Sequence, residues 1–121
     1  MGGLWSRDLE EEKLFEDHVQ DLVKESPVVI FSKTYCGYCA SAKSDIKAVG
    51  KQVENFPGVN TFELDQISGG SKLQAALSRM TGRYTVPNVF VLGESIGGGD
   101  EVSMLRHSGG LKKLLEAASK A

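Results

Sequence analysis

At 121 residues the chain is long enough for one domain to bury a core without disulfide or metal staples. Its composition, 40% hydrophobic and 25% charged, is that of an ordinary globular protein, and a formal charge of −2 argues against a nucleic-acid partner, because phosphate binding needs a basic surface. No apolar run approaches the roughly 20 residues of a membrane span or resembles a signal peptide, so an intracellular, reducing setting is expected, cytoplasmic rather than organellar.

Residues 1–8 contain two glycines and no periodic pattern, which predicts a flexible tail before a single domain over 9–121. The opening Met1-Gly2-Gly3-Leu4-Trp5-Ser6 also matches the short N-myristoylation pattern, a pattern that chance, or a trimmed leader, produces as readily. From Leu9 to Lys24, Phe15, Val19, Leu22 and Val23 fall at helical spacing with the acidic residues outward, and Pro27 stops the helix. Val28-Val29-Ile30-Phe31 is a continuous, largely β-branched run, as expected of a strand buried on both faces.

Beyond Cys39 the positions Ala42, Ile46 and Val49 repeat at helical spacing until Gly50. Val59 to Leu64 reads as a strand, and Leu73, Ala76, Leu77 and Met80 form a helical stripe closing at Gly82. Val89 to Leu92 is a further strand, and the Gly93-Glu94 turn leads to a short one around Ile96. Leu111, Leu114, Leu115 and Ala118 mark a last amphipathic helix. The predicted order is α-β-α-β-α-β-β-α: a four-stranded mixed sheet of the α/β class, with helices on both faces. A right-handed helical crossover makes its first two strands parallel.

The chain has two cysteines, Cys36 and Cys39, two residues apart. A disulfide across so short a loop removes little unfolded-state entropy, and zinc would want ligands that His18 and His107 are not spaced to supply. Redox chemistry is the remaining reading. The pair sits where a buried strand hands over to a helix, whose first N–H groups are unpaired and partly positive. Lys33 adds a cation. Both favour the thiolate at Cys36, and the thiolate is the reactive form. Cys39, one turn on and sharing a face with Ala42 and Ile46, is the more buried partner. Cys36 therefore attacks and Cys39 resolves.

The segment Ser32-Lys33-Thr34-Tyr35-Cys36-Gly37-Tyr38-Cys39 resembles the active-site segment of dithiol glutaredoxins. Thr81-Gly82 with Thr85-Val86-Pro87 is similar to their second signature, and Ile96-Gly97-Gly98 with Asp100-Glu101 to their third. The spacings agree from about Val28 to Leu115. This resemblance implies a thioredoxin-like fold, a cis proline at Pro87 facing the active cysteine, and glutathione-dependent reduction of protein–glutathione mixed disulfides and other disulfides. It also implies a glutathione site. The glycine carboxylate goes to Lys33 and Gln74, the cysteine backbone to Val86, and the γ-glutamyl end to Gly98, Gly99 and Asp100, with Cys36, Tyr38, Thr85 and Pro87 completing the site. The chemistry of these residues agrees: Lys33 suits a carboxylate, Val86 before a proline is extended and can pair like a strand, and glycines before a helix start bare N–H groups to an anion.

One position departs from many dithiol glutaredoxins, which have proline where this chain has Gly37. Relatives with a small residue there include some that hold a [2Fe-2S] cluster between two subunits with glutathione as co-ligand. An alternative function is thus a cluster carrier in which Cys36 is a metal ligand and the working unit is a homodimer; otherwise a monomer acting on glutathione and client proteins is expected. A non-catalytic module of the same fold is opposed by the retention of both cysteines, Lys33 and Pro87. Read alone, Gln74 is a surface residue, Gly97-Gly98-Gly99 a plain turn, and His18 and His107 surface residues; only their register in the motifs raises the first two.

Overall fold

The computed structural model describes residues 3–121, and their side chains from position 7 onward. Helix α1 spans Gly3–Lys24, strand β1 Val28–Ser32, α2 Gly37–Gly50, β2 Asn60–Glu63 and α3 Gly70–Thr81. They are followed by β3 Asn88–Val91, β4 Glu94–Gly97, α4 Gly99–Ser108 and α5 Gly110–Ser119.

The four strands form one sheet in the order β2-β1-β3-β4. The β1–α2–β2 crossover makes β1 and β2 parallel, with Val29 opposite Asn60 and Phe31 opposite Phe62. Strand β3 lies antiparallel to β1, and β4 closes the sheet as a hairpin partner of β3, with a register irregularity at Val89/Phe90. Central β1 is buried along its whole length, which its uninterrupted apolar run requires.

Side chains of β1 alternate between two apolar layers. Val28 and Ile30 face Ala42, Ile46, Val49, Val102, Leu111 and Leu115 from α2, α4 and α5. Val29 and Phe31 face Val19, Leu22, Val23, Leu73, Ala76 and Leu77 from α1 and α3. Phe31 sits between Phe62 and Phe90, at 5.6 Å from each ring, stacked on one and edge-on to the other. The fold is the mixed four-stranded sheet covered on both faces that the apolar periodicities predict.

Two expectations need correction. Helix α1 starts at Gly3 and not at Leu9, so residues 3–8 are helical where a flexible tail was expected. Extending a helix adds one hydrogen bond per residue fixed, and no apolar stripe is needed for that. Met1 and Gly2, where the myristoylation pattern begins, lie outside the described residues. The second correction is α4, an additional helix before the last one. Its single buried residue is Val102, so it carries no apolar stripe to read. Gly109, at φ 86°, separates it from α5, a left-handed conformation that glycine adopts without strain.

Candidate active site

Cys36 is the N-cap residue of α2, with extended backbone angles (φ −91°, ψ 115°). Its sulfur accepts the Cys39 N–H at 3.2 Å, so one of the orphan donors of the helix start is spent on the thiol. The same sulfur lies 3.8 Å from the Val86 carbonyl oxygen, within reach of a thiol S–H. Cys36 is half-buried, whereas Cys39 is fully buried, and both are free thiols. Burial pushes the Cys39 thiol up from its ordinary value, and its hydrogen bond with Cys36 adds to that. Cys36 is thus the more open thiol and Cys39 the enclosed one, the order of burial that the spacing predicts.

The bend before Cys36 is tightly tied. The Cys36 N–H donates to the Lys33 carbonyl at 3.1 Å, closing a turn over residues 33–36. Thr34, inside that turn, donates both its N–H (3.0 Å) and its hydroxyl to the Asp65 carboxylate. The Thr34 hydroxyl, helped by the N–H of Thr34 and the Gln66 amide, holds the Asp65 carboxyl down to about 2, against a smaller opposing effect of desolvation. Lys33 is half-buried beside this turn, and Tyr35 and Tyr38 project outward, 75% and 71% exposed.

A cleft of about 260 Å³ opens beside the cysteines, lined by Tyr38, Arg83, Thr85, Val86, Pro87, Gly99, Asp100 and Glu101. The Val86–Pro87 bond is cis, as the resemblance implies. Three distant segments meet here: the start of α2, the loop before β3 and the start of α4. Gly98 explains its own identity, because a Cβ there would lie 2.7 Å from Arg83 Nη1 and 3.0 Å from the Pro87 carbonyl. Asp100 is exposed in the first turn of α4, and Gly99 lies against Tyr38. The helical ladder of α4 begins with the Val102 N–H on the Gly98 carbonyl at 3.0 Å, and the preceding first-turn N–H groups of Gly99 and Asp100 have no place in it.

Two groups expected at the site make bonds within the chain. Gln74 is only 6% exposed, and its side-chain N–H donates to the Tyr84 carbonyl at 2.8 Å. It is therefore not the surface residue of the bland reading; its amide ties α3 to the loop that carries Thr85-Val86-Pro87, and, like Lys33 and Cys36, it lies outside the lining of the cleft. The Gly98 N–H, expected to face a ligand, is taken by Glu101 Oε1 at 2.7 Å. This is the reach-back of a residue at the third helical position to its own N-cap. The same oxygen accepts Arg83 Nη2 at 2.6 Å, and the Gly98 N–H, ahead of Arg83, holds the Glu101 carboxyl below its ordinary range.

Sequence reasoning missed Asp65, Arg83 and the role of Glu101. Only Glu101 left a local signal, an acid three residues into a helix that begins at glycines. Thr81, part of the second signature, turns out to be a hub: its hydroxyl bonds the Leu77 carbonyl (2.7 Å) and accepts from Arg83 N (3.2 Å) and from Asn88 Nδ2 (3.1 Å). Asn88 is fully buried and satisfied on its other side by Ser95 Oγ at 2.8 Å. This part-buried network, with Asn88 at its enclosed end, ties down the loop that presents Val86 to Cys36.

The Glutaredoxin family model matches residues 28–96. Glutaredoxin-C1 of Arabidopsis thaliana is 41% identical over 109 residues, covering 90% of this chain and 82% of that relative. Among solved structures, reduced glutaredoxin C1 from Populus tremula x tremuloides superposes with a TM-score of 0.81 at 42% identity, over 92% of each chain. The buckwheat glutaredoxin–glutathione complex does so with a TM-score of 0.80 at 42% identity, over 90% of this chain and 94% of that one. The family match, these identities across most of each chain and the shared fold settle the family: the chain belongs to the glutaredoxin family and is a thiol–disulfide oxidoreductase.

Proposed function

We propose that the protein reduces protein–glutathione mixed disulfides, with Cys36 as nucleophile, Cys39 as resolving thiol and glutathione as co-substrate. The observation that carries this reading is the half-buried Cys36 sulfur at the start of α2, 3.8 Å from the carbonyl of Val86, a residue that itself lines the open cleft with Tyr38, Thr85, Gly99 and Asp100. A related buckwheat protein solved as a glutaredoxin–glutathione complex supports the choice of co-substrate.

The Cys36 thiolate attacks the glutathione sulfur of the mixed disulfide; the S–S bond breaks and the client leaves as a thiolate that takes a proton from water. A second glutathione thiolate then attacks the Cys36–glutathione disulfide, releasing oxidised glutathione and regenerating the Cys36 thiolate. In the dithiol route Cys39 loses its proton, attacks Cys36 and expels glutathione, leaving a Cys36–Cys39 disulfide. The raised Cys39 thiol makes this branch the slower one at neutral pH. In the cleft, the extended residue Val86 suits the backbone of the tripeptide, and the Gly99 and Asp100 N–H groups with the Asp100 carboxylate its zwitterionic γ-glutamyl end, while Lys33, in the turn before Cys36 and outside the cleft lining, suits its glycine carboxylate. Gln74 also holds the loop through its side-chain N–H.

All these groups come from one chain, which supports a monomer as the working unit, and the need for reduced glutathione supports an intracellular, reducing, cytoplasmic setting. The cluster-carrier reading finds less support in the residues present. Cys39 is fully buried, which leaves Cys36 as the one cysteine each chain would offer a cluster, with glutathione as co-ligand.

The test is activity toward a glutathionylated peptide with glutathione in excess. Cys36→Ser is expected to fall to the uncatalysed rate, and Cys39→Ser to keep deglutathionylation while losing reduction of an intramolecular disulfide substrate. If Cys39→Ser lost deglutathionylation as completely as Cys36→Ser, the assignment of roles would be wrong.

A further inference from the structure

The parallel ladder between β1 and β2 ends with Ser32 opposite Glu63, and the Leu64 N–H still reaches the Ser32 carbonyl at 2.8 Å. One residue further, the backbones part. Strand β1 turns up toward Cys36, and the next donor on its side, the Thr34 N–H, has no backbone acceptor to meet. The Asp65 carboxylate stands in for one, accepting that N–H at 3.0 Å and, through its other oxygen, the Thr34 hydroxyl. Thr34 is the second residue of the turn that the Cys36 N–H closes on the Lys33 carbonyl. Its two flanks are the active-site cation and the residue before the nucleophile.

We propose that Asp65, acting through Thr34, is a positioning residue for the nucleophile: the two-pronged bond sets the 33–36 turn and so holds Cys36 at the cap of α2 with Lys33 beside it. The assignment rests on Cys36 being the reactive thiol. Two observations make it more than a surface contact. The bonds span 31 residues, joining the end of β2 to the active-site turn, so the clamp connects two elements that otherwise diverge. Both partners are exposed, so the bond does little for burial and its effect lies in direction. The arrangement also carries an electrostatic cost. Asp65 puts a negative charge near a cysteine that works as an anion, and Lys33 and the α2 N–H groups oppose it. A fold that keeps a carboxylate here gains geometry from it, not charge.

Charge and geometry predict opposite signs, and this makes the proposal testable. The Cys36 alkylation rate with iodoacetamide at neutral pH is measured in a Cys39→Ser background, so that one thiol reports. The kcat and KM for a glutathionylated peptide and the thermal midpoint are measured on the same proteins. Thr34→Val is the deciding variant, because it removes the hydroxyl and leaves the Asp65 charge in place. Both alkylation and kcat are expected to fall about tenfold, the order of loss that follows from displacing a reacting atom by a fraction of an ångström. Thr34→Ser is expected to restore both. Asp65→Asn, which keeps one acceptor oxygen, is expected to lie between, and the Thr34→Val, Asp65→Asn double variant to be no worse than Thr34→Val alone, since the two share one interaction.

Alkylation and kcat within twofold of the parent in Thr34→Val, at an unchanged or a lowered thermal midpoint, would overturn the proposal and leave the clamp a structural bond. Faster alkylation in Asp65→Asn with Thr34→Val unchanged would overturn it equally, making Asp65 only a brake on the thiolate. If the parent showed no Cys36-dependent thiol transfer, the proposed reaction would fail, while the alkylation rates would still report on the clamp.

Discussion

The apolar layers around the sheet and the redox face above them are built on opposite principles. Beneath, Phe31, Ile30, Ile46, Leu73 and Leu111 are fully buried and held by packing alone. Above, the position of almost every chemically active group traces to a directed polar bond: Thr34 to Asp65, Gly98 N–H and Arg83 to Glu101, Gln74 to the Tyr84 carbonyl, Asn88 to Thr81. Apolar burial scales with area and does not specify direction, whereas a hydrogen bond contributes about 1 kcal/mol net and fixes an orientation. The lower region should therefore determine whether the chain folds, and the upper region how well it reacts.

Removing a core side chain should break that division most visibly. Phe31→Ala deletes a fully buried ring between Phe62 and Phe90, and a loss of about 3–5 kcal/mol is expected from the missing contacts and the cavity. Chemical denaturation should show it as a lower midpoint, with activity per folded molecule nearly unchanged. A mutant of full stability and poor activity would show that core and site are not separable.

A smaller effect, confined to the upper region, is expected from Glu101. Its carboxyl is depressed in the folded chain from an ordinary value of 4.5, chiefly by the Gly98 N–H. Such a group contributes its stabilisation fully above the unfolded value, and loses it as pH falls through the folded one. The start of α4 should thus stay ordered at neutral pH and loosen only below about pH 4.5, the ordinary value from which the carboxyl is depressed. Glu101→Ala should raise KM for a glutathionylated peptide about fivefold at pH 7, a charged hydrogen bond discounted for solvent access, with kcat little changed. Glu101→Gln keeps an acceptor for Gly98 and should raise it less. A fall in kcat as large as the rise in KM would place Glu101 in the reaction rather than in the frame of the cleft.

The smallest effect sharpens the contrast from the other side. Gly37 occupies the first position of α2, has ordinary backbone sign, and a Cβ there would meet nothing within 4 Å. Proline is favoured at such a position and removes only an N–H that the helix does not use. Gly37→Pro should raise stability by about 0.5–1 kcal/mol through the unfolded state, with kcat/KM within twofold. Thermal melts and steady-state rates check it, and a loss of stability would mean that the Gly37 N–H is in use.

The sequence by itself determined the parts of this protein that depend on neighbours along the chain. The apolar run at Val28–Phe31, the stripe Ala42-Ile46-Val49, the turn at Gly82 and the placement of Cys36 at a helix start and Cys39 one turn on are all short-range patterns, and periodicity and capping are short-range physics. Helix α4 escaped because it buries only Val102, so no stripe reported it. Tertiary structure alone decided what the polar side chains do. Gln74 reads as a surface residue, yet packing buries it and turns its amide to a carbonyl 10 residues away. Arg83 meets Glu101 across 18 residues, and Thr34 meets Asp65 across 31. A hydrogen bond needs two atoms within about 3 Å at a defined angle, a condition no residue satisfies until the sheet and helices have brought distant segments together.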